Sequence, residues 1–136
     1  MPIDHIGVNV PDLALAREYY DALMPLVGFE PLGSGPDWFA YRPADDKGTR
    51  LYVNAAPGSG AYSRLRPGLQ HIGFQVSSRA RVHAAHEWAV AWGSEILNEP
   101  RLWPEYHQDY YAVFWADPHG FKLEAFYTGR PDDAGG

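Results

Sequence analysis

The 136-residue sequence contains no cysteine. Disulfides, thiolate nucleophiles and thiolate metal sites are therefore excluded, so any bound metal must sit on nitrogen and oxygen. Positive charge is also scarce. Eleven Lys and Arg face seventeen Asp and Glu, leaving a formal charge of −6. That field repels a phosphate backbone, and no nucleic acid is expected as a partner. No apolar run approaches the roughly 20 residues needed to cross a bilayer. The opening Met1-Pro-Ile-Asp-His5 lacks the basic region and apolar run of a signal peptide. The expectation is a protein with no membrane association, in the cytoplasm.

Aromatic residues are plentiful: five Trp, nine Tyr and six Phe. They are enough both to fill a core and to line a pocket. The length suits one compact domain, expected over 1–130 with a tail at 131–136. Inside it the chain says nearly the same thing twice. Asp4-His-Ile-Gly-Val-Asn-Val10 returns as Leu69-Gln-His-Ile-Gly-Phe-Gln-Val76, with 66 residues between His5 and His71. Such an internal repeat points to one supersecondary unit used twice.

The first copy, residues 1–56, reads β-α-β-β-β. Residues 3–10 alternate as a strand, with His5, Gly7 and Asn9 on one face. Asp12 is the expected N-cap of a helix whose stripe is Leu13, Ala16, Tyr20 and Leu23, ended by Pro25 and Gly28. Strands are expected at 29–32, 38–42 and 49–55, the first two split by the turn-rich stretch 33–37. Residues 57–68 read as a linker by composition, its Tyr62, Arg64 and Arg66 solvated or forming a basic lid.

The second copy, 69–130, repeats the plan. A strand at 70–76 leads to a helix capped by Ser78, with Val82, Ala85, Ala89 and Trp92 as its buried stripe and an end near Gly93. Strands at 95–98 and 110–116 follow. Asp117-Pro-His-Gly120 then forms a type I turn before a closing strand at 121–127. Gly48 to Gly120 and Leu51 to Leu123 are each 72 residues apart rather than 66. The second copy thus carries about six extra residues, in the aromatic, proline-broken stretch 99–109, a candidate substrate-facing loop. The expected fold is α+β, two βαβββ modules forming a cupped eight-stranded sheet.

Strand periodicity sets Lys122, Glu124 and Phe126 on one face of the last strand. A carboxylate there costs free energy if buried without a partner. His5 and His71 occupy equivalent positions, and pairing of the modules about a pseudo-two-fold axis would bring the two imidazoles together. Two His and one carboxylate form a suitable shell for a divalent metal with open coordination positions.

Paired modules, His-Ile-Gly on the first strand of each, and Asp117-Pro-His-Gly-Phe-Lys-Leu-Glu124 near the end resemble the vicinal oxygen chelate superfamily. That group includes glyoxalase I, extradiol dioxygenases, fosfomycin resistance enzymes and bleomycin-binding proteins. The resemblance implies one divalent metal on His5, His71 and Glu124; Fe, Mn, Ni, Co and Zn all accept such ligands. It also implies a small-molecule substrate chelated through adjacent oxygens, and a homodimer.

Glyoxalase I adds a carboxylate at the position that maps to Tyr52. A three-ligand shell is therefore implied, as in extradiol dioxygenases. This tilts the reaction toward ring cleavage over lyase or isomerase chemistry. Tyr52 could hydrogen-bond a bound oxygen, act as a weak acid or base, ligate at a distance, or simply pack. The rival reading is a non-catalytic antibiotic-binding protein of the bleomycin-resistance kind.

His107, in the insertion, is the candidate additional acid or base. His83 and His86 read as a solvated helix face, and His119 as a turn residue. Trp38, Trp103, Tyr106, Tyr111 and Trp115 are candidates for an aromatic pocket, about half of them expected in the core. Gly33-Ser-Gly35 and Gly58-Ser-Gly60 do not run from a strand into a helix, which excludes phosphate loops.

Overall fold

Each His-Ile-Gly segment forms a strand that pairs, in parallel, with the last strand of its own half. In the computed structural model, residues 3–129 are described, and they fall into two units divided between Ala61 and Tyr62. Unit one holds β1 (His5–Val10), α1 (Leu13–Leu23), β2 (Phe29–Gly35), β3 (Trp38–Pro43) and β4 (Arg50–Ala55). Unit two holds β5 (His71–Gln75), α2 (Arg79–Trp92), β6 (Glu95–Leu102), β7 (Tyr111–Ala116) and β8 (Lys122–Tyr127). The sheets have the same order, β1-β4-β3-β2 and β5-β8-β7-β6. The chain is thus α+β, with two βαβββ modules. The expected tail at 131–136 lies outside the described residues, and no helix among those described is long and apolar enough to cross a membrane.

Both helices start as the sequence indicates. Asp12 accepts the amide of Leu15 at 3.0 Å, and Ser78 accepts that of Arg81 at 3.2 Å. Each cap satisfies an amide that has no partner inside the helix. Replacing Ser78 with alanine is expected to cost about 1 kcal/mol, read as a lower denaturant midpoint at unchanged slope. Pro25 does not break α1 outright. It opens a 3₁₀ turn, Met24–Val27, and the chain leaves that turn through Gly28 at φ 90°.

Three expectations are corrected. Trp92 is outside the buried stripe: it is 36% exposed and packs against Trp88, with ring centroids 5.7 Å apart. The buried face of α2 is Val82, Ala85 and Ala89. Residues 33–35 are strand, because β2 absorbs an irregularity between Pro31 and Gly33 and turns only at Pro36-Asp37. Likewise β6 runs to Leu102, with register shifts after Ile96 and Asn98, so the loop proper is 103–110.

The core of unit two has two sides. Phe74, Val82, Ala85, Val113, Trp115, Leu123 and Ala125 are buried. Alternation along β7 turns Ala112 and Phe114 to the opposite face. There they form a smaller cluster with Trp103 of the loop, joined by Leu97, Tyr110 and Phe126. The loop is therefore packed onto the sheet face that carries Glu124.

Candidate functional site

In unit two, the parallel register sets His71 beside Lys122 and Gly73 beside Glu124. Glu124 is 3% exposed. Its Oε1 lies 3.2 Å from His71 Nε2, and its Oε2 accepts the Tyr110 hydroxyl at 2.6 Å. Burial pushes the Glu124 carboxyl above its usual range, against the Tyr110 hydrogen bond and the positive charge of His71 and Lys122. Lys122 holds its ammonium 4.7 Å from the Phe114 ring centroid. The exposed face of Gly73 allows this approach: a Cβ there would come within 3.1 Å of Glu124 Oε1.

On its other side, His71 places Nδ1 2.7 Å from Gln70 Oε1. The imidazole thus faces an oxygen acceptor at each nitrogen, and a neutral ring has only one N–H to give. With Nε2–H given to Glu124 the contact is a hydrogen bond; with Nδ1–H given to Gln70 instead, the Nε2 lone pair is presented to a carboxylate oxygen. A cation between them satisfies both.

Unit one repeats half of this arrangement. His5 Nδ1 lies 2.9 Å from Asp4 Oδ2, again the side chain of the preceding residue. That hydrogen bond holds the Asp4 carboxyl below its usual range. It also leaves Nε2 of His5 as the free ring nitrogen. Gly7 pairs with Tyr52 as Gly73 does with Glu124, so Tyr52 is the register equivalent of Glu124. The Tyr52 ring meets His5 edge-on at 5.4 Å and Trp38 at 5.9 Å. His5, Gly7, Tyr52 and Asn54 line a cavity of about 310 Å³.

Among the remaining candidates, His107 spends its Nδ1 on the amide of Asp109 at 3.2 Å, a contact that shapes its loop. His83 is not merely solvated: its Nε2 lies 2.7 Å from the Tyr111 hydroxyl. Trp115 is fully buried and belongs to the core. Tyr62 donates to the Leu69 carbonyl and packs on Phe121 with centroids 4.3 Å apart. Among the described residues, no group of three or more His, Cys, Asp or Glu is gathered that could hold a metal ion. The pair His71–Glu124 supplies two of the expected ligands. Tyr110, Gln70 and Asn54 were not singled out from sequence, although Tyr110 directly follows the insertion expected at 99–109.

A family model for the Glyoxalase/Bleomycin resistance protein/Dioxygenase superfamily matches residues 2–125. The chain belongs to this superfamily. Its members commonly hold a divalent metal, bind small molecules and often dimerise. The chain is 27% identical over 128 residues to the uncharacterized protein YqjT of Bacillus subtilis strain 168, covering 88% of this chain and 94% of that one. It is 25% identical to a glyoxalase/bleomycin resistance protein from Albidiferax ferrireducens T118, with a TM-score of 0.76 over 96% of this chain and all of the other. The fosfomycin resistance protein FosX of Listeria monocytogenes shares the fold at 17% identity, with a TM-score of 0.67 over 97% and 96% of the two chains.

The superfamily's metal can be tested against these side chains. His5 in unit one, and His71 and the dry Glu124 carboxylate in unit two, are nitrogen and oxygen donors of the types a divalent cation accepts, and each imidazole has its Nδ1 engaged by the preceding residue. Anchoring of the far ring nitrogen is the usual setting of a ligating histidine.

Proposed function

We propose that this protein is a divalent-metal-dependent small-molecule enzyme of the glyoxalase/extradiol dioxygenase type, a cytoplasmic homodimer, with His5, His71 and Glu124 as metal ligands. The observation that carries the reading is the matched anchoring of the two imidazoles, by Asp4 and by Gln70, with His71 Nε2 turned onto a buried carboxylate. Neither anchor is needed to pack a strand. Both are needed to present a lone pair in a fixed direction.

When bound, the metal supplies Lewis acidity toward two adjacent substrate oxygens. The protein side chains do the rest. Tyr52, flanked by His5 and Trp38, offers a phenol to a bound oxygen. Lys122 holds positive charge beside Glu124 and favours a ligand that develops negative charge. The ring face of Phe114 and the 103–110 loop keep water from the carboxylate.

Elemental analysis of freshly purified protein tests the reading: the expected result is one metal per chain. A metal-free wild type that still binds planar aromatic ligands would instead identify a sequestering protein. Oxygen uptake with catechols, set against isomerisation of the methylglyoxal–glutathione adduct, separates ring cleavage from enediolate chemistry.

Gly73→Ala is a sharper probe. The new Cβ would sit 3.1 Å from Glu124 Oε1 and 3.4 Å from the Phe126 ring, so the carboxylate must give by a few tenths of an ångström while keeping its hydrogen bonds. Metal affinity is expected to fall about 10-fold or more, comparable to loss of a supporting contact at a metal ligand. Stability of the metal-free protein should hold or rise, since glycine weakens a strand interior. Isothermal titration and a thermal melt report the two effects separately.

A further inference from the structure

We propose that Tyr110 is a positioning residue for this metal site, fixing the Glu124 carboxylate so that Oε1 alone is offered to the cation beside His71. The inference rests on the metal-binding reading above and assigns a role to a residue which that reading leaves idle.

The loop is built around this one contact. The phenol donates to Oε2 at 2.6 Å, and its ring lies flat on Phe126, with centroids 4.9 Å apart and planes 6° from parallel. Tyr106 meets it edge-on at 5.4 Å and is itself stacked on Trp103 at 5.6 Å. Trp103 in turn donates its Nε1–H to the Ala112 carbonyl at 3.2 Å. The backbone closes the same segment. The Trp103 amide donates to the Tyr110 carbonyl at 2.7 Å, and the Tyr110 amide donates to His107 at 3.2 Å. A hydroxyl at the end of so restrained a ring has one direction open to it, and Glu124 lies in that direction.

Comparison of the two modules shows what the loop is for. Unit one joins β2 to β3 through Pro36-Asp37 alone, whereas unit two spends residues 103–110 between β6 and β7. The residue equivalent to Glu124 in unit one is Tyr52, which has no carboxylate to hold. The long loop occurs in the module that has the acid, and its last residue is the one that grips it.

An oxygen committed to a short charge-assisted hydrogen bond is the poorer donor to a metal, and the bond fixes the rotation of the carboxylate. Glu124 would then hold a cation through Oε1, beside His71 Nε2.

The test is Tyr110→Phe, which keeps the ring and its stack on Phe126 and removes only the hydroxyl. Cobalt(II) titration of the metal-free protein is expected to show affinity 10- to 100-fold below wild type. The visible absorption band of the bound cobalt should shift and weaken as the carboxylate becomes free to bind through both oxygens. A purely structural role would lower thermal stability without moving that band. Cobalt affinity within twofold of wild type, with a superimposable spectrum, would overturn the proposal. A wild type that takes up no cobalt would overturn the metal reading itself and this inference with it, a result distinct from the first.

Discussion

A His71→Ala protein, purified beside the wild type, is expected to bind metal more than about 100-fold more weakly, because supporting contacts alone are worth 10- to 100-fold and His71 is a proposed ligand. The same change should destabilise the metal-free protein. Glu124 is 3% exposed, and His71 Nε2, 3.2 Å away, is one of its two polar partners with the Tyr110 hydroxyl. Leaving a buried carboxylate short of a partner costs about 1–3 kcal/mol.

Glu124→Gln should do the opposite to stability. It removes the buried charge yet keeps an oxygen to accept from Tyr110, so the metal-free protein is expected to gain about 1 kcal/mol. Metal binding should nonetheless be lost. Melts with and without chelator, run on all three proteins, check both signs. If the two variants shift the metal-free melt in the same direction, Glu124 is not the strained, cation-seeking group described here.

Trp115→Ala carries the largest expected stability effect away from the site. The indole is fully buried on β7, and its strand partners are Ile96 and Leu123. Truncating a buried tryptophan costs about 3–5 kcal/mol, from lost burial plus the cavity left behind. Against a total stability of about 5–15 kcal/mol, that is enough to leave much of the protein unfolded at 37 °C. Trp92→Ala is the matched control. At 36% exposure and packed on Trp88, it should cost clearly less, about 1 kcal/mol. Urea denaturation of the pair reads the difference directly.

The duplicated plan was legible because a strand that must bury one face writes a period of two into the chain, and this chain writes it twice around His-Ile-Gly. The 72-residue offset predicted Tyr52 opposite Glu124 in role, and the pairings Gly7–Tyr52 and Gly73–Glu124 give that equivalence its geometry. The caps Asp12 and Ser78 were legible for a similar reason: an orphaned helix amide selects a short acceptor side chain.

Other features depend on contacts between distant parts of the chain. Tyr110 could not be separated from Tyr106 or Tyr111 by pattern, since its hydroxyl finds Glu124 only after β6 has shifted register twice. Trp92 fitted the helical stripe by spacing alone. In the fold it packs against Trp88 instead, and the buried face of α2 is Val82, Ala85 and Ala89. The extent of β6 was hidden by Pro100, which an irregular strand tolerates and a regular one would not.

The parallel pairings also bear on the order of assembly. His5 docks against β4 at Arg50, and His71 against β8 at Lys122, each across more than forty residues, while the hairpins β2–β3 and β3–β4 close over short turns. Closing a long loop must be offset by contacts that are already in place. Hairpins therefore come first and the imidazole-bearing strands last. The imidazoles of His5 and His71 would then reach their fixed positions only on a sheet already built.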